Sequence, residues 1–139
     1  MSTTPEQKAS ELSVTPSSSS SSVRITWFDH NVVLEQVRRA IAALASRRPE
    51  VERVLLFGSV ATGRAVPGSD VDLLVILERS DTPFVDRIPL YAPEGCGVDV
   101  EVFPYTRREV EQMLAQGNSF LRSALREAVV LFSRSGLLP

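Results

Sequence analysis

Two aspartates two residues apart, Asp70 and Asp72 in "GSDVDLLVIL", stand at the entrance of an almost continuously apolar run, Val71 to Leu77. Side chains at i and i+2 of a strand share a face, so the two carboxylates project together with Cα atoms about 6 to 7 Å apart. Like charges held that way need a cation. A hard divalent ion such as Mg²⁺, bound through one or two carboxylates and substrate phosphates, meets the need. The competing reading is an ordinary turn, since Gly68-Ser69-Asp70 is good turn chemistry.

Three neighbouring features favour the metal. Gly58-Ser59 directly follows the apolar run Val51 to Phe57, where a turn with free backbone N–H groups and a hydroxyl could hold a phosphate. Gly63 and Gly68 let the connecting backbone pass close to a ligand. "GVDVEVF", residues 97–103, carries Asp99 and Glu101, again at i and i+2 on an otherwise apolar strand where acids need partners. If that strand lies beside Val71–Leu77, the acids converge into a cluster able to hold two ions about 3.5 to 4 Å apart, as in-line nucleotidyl displacement uses. A Walker loop is excluded, because Gly63 is followed by Arg64-Ala65 rather than Lys-Ser/Thr. The order Gly-Ser, loop, Asp-x-Asp, strand is the discriminating feature.

The elements that must position these residues read as alternating helices and strands. Asp29 can cap a helix whose apolar positions Val33, Val37, Ile41 and Leu44 recur every three or four residues, with Phe28 stapled to Val33. Arg47, Arg48 and Pro49 close it. Strands are expected at Val51–Phe57, Val71–Leu77 and Val98–Phe103, the second apolar enough to be covered on both faces. Thr106 with Glu109 forms a capping box for a helix carrying Val110, Met113 and Leu114 and ending at Gly117. A further helix starts near Ser119 with Leu121, Leu125 and Ala128 inward, and Val129 to Phe132 pairs back as an edge strand. The class is α/β (α+β), with a small mixed sheet flanked by helices in a single domain.

Composition sets the limits. The 139 residues are 43% hydrophobic, enough for one modest core, and the formal charge of −2 gives no broad attraction for nucleic acid or an anionic membrane. The one cysteine, Cys96, excludes an internal disulfide. No apolar run nears the length of a membrane span, roughly 20 residues. A cytoplasmic protein is therefore expected. Residues 1–22 are polar and Ser-rich and are expected to be a disordered tail, leaving 23–139 as the domain.

"LFGSVATGRAVPGSDVDLLVIL" resembles the signature of the minimal nucleotidyltransferases of the DNA polymerase β superfamily, and "VDVEVFPYTRREVEQML" and "GNSFLRSALREAVVLF" resemble the rest of that domain. The resemblance implies a nucleotidyltransferase fold that uses two Mg²⁺ ions to transfer NMP, AMP from ATP first among the choices. Carried over, Gly58 and Ser59 grip the triphosphate, with Ser69 and Arg64 as further nucleotide contacts, while Asp70 and Asp72 bind both metals. The third family carboxylate lies on the following strand. Counting back from Tyr105-Thr106 places Glu101 in its slot, the apolar-Asp-apolar pattern favours Asp99, and both stay candidates as metal ligand or general base.

Relatives often carry arginines after Gly-Ser, where this chain has Val60 and Thr62. Small members of the family often act as antitoxins paired with a HEPN-domain RNase toxin, some by transferring AMP to a toxin tyrosine. The resemblance therefore implies a protein partner of HEPN type or, for substrate recognition, homo-oligomerisation. The alternative is a binding module that keeps the fold and regulates a partner by contact alone.

Overall fold

The computed structural model describes residues 30–65 and 69–134. The expected tail, the Asp29 cap, the Phe28 staple and Gly68 lie outside the described residues. Helix α1 (His30–Arg47) buries Val33, Val37, Ile41 and Leu44, the stripe that its three- and four-residue spacing requires. Strands β1 (Val51–Phe57) and β2 (Val71–Leu77) have the bounds expected from their apolar runs, with the one-turn helix α2 (Ser59–Thr62) between them. Next come α3 (Phe84–Arg87), a 3₁₀ turn (Ile88–Leu90), β3 (Val100–Thr106), α4 (Arg107–Ala115), α5 (Ser119–Glu127) and β4 (Val129–Ser133).

The four strands lie in the order β3-β2-β1-β4, with β2 and β3 parallel and the other pairs antiparallel. This is the expected mixed sheet, with β2 in its interior. Side chains alternate across it. Leu73, Val75 and Leu77 pack on α1, whereas Leu74 and Ile76 pack on Val110 of α4 and on Leu121 and Ala124 of α5. Two helical layers therefore cover the sheet, and every residue of β2 except Asp72 is buried.

Three expectations are corrected. Strand β3 spans Val100–Thr106 rather than Val98–Phe103, because its ladder begins where Val100 pairs with Val71 and continues to Thr106 opposite Leu77. Pro104 is tolerated there because β3 is an edge strand, with no further strand to receive its missing N–H. Ala128 packs against the core beneath α5 as expected, but it is not helical. It is the extended C-cap of α5 that leads into β4, and Ala124 fills the inward helical position. The Gly58-Ser59 segment, read as a turn, opens into α2.

Side chains distant in sequence tie these layers together. Arg87, 4% exposed, forks onto both carboxylate oxygens of Glu109 at 2.7 and 3.0 Å and donates to the carbonyls of Thr82 and Pro104. One guanidinium thus joins α3, β3 and α4. Glu109 also completes the capping box with Thr106. Arg134 donates to the carbonyls of Ala45 and Val51 at 2.7 and 2.9 Å, neutralising the negative end of α1. Among the described residues, no helix is long and apolar enough to cross a membrane.

Candidate active site

The parallel pairing of β2 and β3 sets Asp72 directly opposite Glu101, and on the other side Phe57 of β1 is the partner of Asp72. Paired residues of neighbouring strands point to the same face, so Asp72 and Glu101 form one carboxylate pair on the α4–α5 side of the sheet. Asp70, exposed and one residue before β2, adds its charge from the rim. Asp99 precedes the first paired residue of β3. Its carbonyl accepts the Val71 N–H at 2.9 Å, and the residue lines a separate depression with Cys96 and Gly97.

Asp72 carries the electrostatic signature of this arrangement. Burial pushes its carboxyl up to about 6, and Glu101, through its charge and a hydrogen bond, and then Asp70 push in the same direction. The glycine at the end of β1 touches the same group. Gly58 has φ 82° and ψ −159°. That region is essentially reserved for glycine. A β-carbon on Gly58 would stand 3.3 Å from Cγ of Asp72 and nearer still to Oδ2. Gly58 is thus required twice, by its backbone and by its neighbour.

Helix α2 starts at Ser59 with no side-chain cap from Gly58. The Thr62 hydroxyl donates to the carbonyls of Gly58 and Ser59, and Gly63, left-handed at φ 77°, closes the turn. Arg64 lies against Glu127 of α5 at 3.5 Å. Ser69 is half-buried on the segment that enters β2.

Among the described residues, no group of three or more His, Cys, Asp or Glu side chains is arranged to hold a metal ion. The donor set nevertheless fits Mg²⁺. This ion is usually held through one or two carboxylates plus substrate phosphates, and the pair of partly buried Asp72 and exposed Glu101 offers two. Asp72 and Glu101 are the residues that would hold it, with Asp70 at the rim.

Sequence reasoning missed the aromatic cluster beside the acids. Phe57, Phe103 and Phe120 meet with ring centroids 5.2 to 5.7 Å apart. Phe57 was legible only as the residue before Gly58, and Phe120, on the first turn of α5, gave no signal at all.

The sequence pattern of the nucleotidyltransferase domain family matches residues 37–127, from within α1 to the end of α5, and the chain belongs to that family. Among solved structures it is similar to a candidate nucleotidyltransferase from Sulfolobus solfataricus, at 19% identity over 79% of this chain and 88% of that one, with a TM-score of 0.57. It also aligns, at 18% identity and a TM-score of 0.42, with a toxin–antitoxin structure containing AMP-PNP, over 76% of this chain and 74% of that one. No curated protein matches. The first similarity shows the fold; the family assignment rests on the sequence pattern.

Proposed function

We propose that this protein transfers a nucleoside monophosphate, AMP from ATP in the first instance, to a hydroxyl on a partner protein, with a HEPN-type toxin as the partner that the sequence resemblance favours. The observation that carries the reading is the register of Asp72 with Glu101, with Gly58 against Asp72. In the reaction the acceptor oxygen bonds to the α-phosphorus as the bond to the β-phosphate bridge breaks and pyrophosphate leaves. In this reading Glu101, the exposed member of the pair, takes the acceptor's proton, and Gly58 and Ser59 hold the phosphates, with Ser69 at the entrance of β2. Bound Mg²⁺ supplies positive charge against the phosphates.

The binding-module reading has one observation in its favour. Arg64, the arginine of the loop after Gly58-Ser59, is paired with Glu127 at 3.5 Å, and Val60 and Thr62 add no charge near the turn. The two readings separate on incubating the protein with α-labelled ATP, Mg²⁺ and a HEPN-type partner, with Asp70→Asn/Asp72→Asn as control. Label on the partner that the double variant abolishes supports the transferase. No label, together with no Mg²⁺-dependent ATP binding, overturns it.

A further inference from the structure

A cleft of about 490 Å³ opens beside the carboxylates, between α5 and the end of β1. Its floor is Phe57, the strand partner of Asp72, and its wall is Phe120, which meets Phe57 edge to face at 80°. Ser119 and Ser123 line it with hydroxyls, and Glu127 closes the far end. The volume lies within the range of small-ligand sites, and the composition, aromatic surface with a few convergent polar groups, is theirs too.

Phe120 is 38% exposed although it is a large apolar side chain at the mouth of a polar-rimmed cleft. Its neighbours Phe57 and Phe103 hold it in place from one side, which leaves ring surface available for stacking. Arg64 spans from the loop after α2 to Glu127, fixing that carboxylate at the rim. A carboxylate accepts hydrogen bonds and donates none when ionised, so it selects a group that presents N–H.

We infer that this cleft seats the nucleobase of the donor nucleotide, stacked on Phe120, and that Glu127 selects a base with an exocyclic amino group. The inference rests on the nucleotidyl-transfer reading and deepens it. In a nucleotide a single ribose separates the base from the α-phosphate, and in this protein the cleft floor, Phe57, is the strand neighbour of Asp72. The same loop carries both ends of the donor: Gly58 and Ser59 at the phosphates, Arg64 at the base.

Calorimetric titration in Mg²⁺ with ATP, purine riboside triphosphate and inorganic tripolyphosphate tests this. Tripolyphosphate has no base and reads the phosphate end alone; purine riboside triphosphate lacks the amino group of ATP and has no base N–H in its place. Phe120→Ala, and independently Ser123→Phe, which fills the cleft from an exposed helix position, should each weaken ATP about tenfold or more and leave tripolyphosphate unchanged. Glu127→Ala, which removes the acceptor, should bring the affinity ratio of ATP to purine riboside triphosphate close to one. If ATP and tripolyphosphate both bind but the Phe120 and Ser123 variants hold ATP within twofold of the unaltered protein, the nucleobase site is wrong and the phosphate site stands. If neither ligand binds the unaltered protein, the nucleotidyl-transfer reading fails and this inference falls with it.

Discussion

Gly58 and Asp72, fourteen positions apart in sequence, meet where β1 ends and β2 begins: the glycine's missing side chain is the space beside the aspartate's carboxyl. Phe57 pairs with Asp72 in the ladder, so the next residue must turn away at once, and it does so at φ 82°. The Gly-Ser and Asp-x-Asp halves of the motif are therefore one local structure, with the glycine making room for the acid.

Gly58→Ala is expected to cost about 1 to 3 kcal/mol of stability from the backbone region alone. The added methyl would also push the Asp72 carboxyl off its position beside Glu101. Urea melts should show the loss of stability, and calorimetry in Mg²⁺ should show ATP binding weakened about tenfold or more. A variant of unchanged stability and affinity would contradict the proposed contact.

Asp72 gives a pH dependence of the metal-free protein. Its folded pKa, raised from 3.8 to about 6, lies above the unfolded value, so its contribution to stability is fully present below pH 3.8 and is lost as pH rises through about 6. Asp72→Asn removes the repulsion with Glu101 and Asp70. In EDTA at about pH 7 the variant should be more stable than the unaltered protein, with the difference shrinking toward about pH 4. Equal stability at both pH values would show that neither burial nor the neighbouring acids raise the Asp72 carboxyl.

The buried arginine predicts the reverse pH sign. Glu109 is held below the usual glutamate range by its hydrogen bonds to Arg87, so its contribution is present above the unfolded pKa and is lost as pH falls through the folded one. Arg87→Ala should cost about 3 kcal/mol near neutral pH, since it strands Glu109 and two carbonyls, and should flatten the acid limb of the stability profile. Thermal melts between about pH 3 and neutrality measure both effects.

Much of this architecture is legible in the chain. Val51–Phe57 and Val71–Leu77 can be read as strands because each is a short apolar run bounded by turn residues, and the Thr106–Glu109 capping box marks α4. The acids and the Gly-Ser turn stand out because charge and glycine interrupt that apolar pattern. What escaped is of two kinds. One-turn elements such as α2 and α3 are too short to show a period. Contacts made by tertiary packing, such as Arg87 on Glu109, Arg134 on the end of α1 and Phe120 on Phe57, join residues that no local spacing connects. The start of β3 reads two residues early because Val98-Asp99-Val100 alternates like the true strand, and only pairing with β2 decides where the ladder begins.

In the proposed reaction Glu101, and not Asp99, completes the carboxylate site with Asp72. Mg²⁺-dependent transfer from α-labelled ATP should be compared in Glu101→Gln and Asp99→Asn, each checked for an unchanged melting temperature. Glu101→Gln is expected to lower transfer by about a hundredfold or more, and Asp99→Asn to stay within a few fold of the unaltered protein. Loss of transfer in Asp99→Asn with activity retained in Glu101→Gln would contradict that role of Glu101.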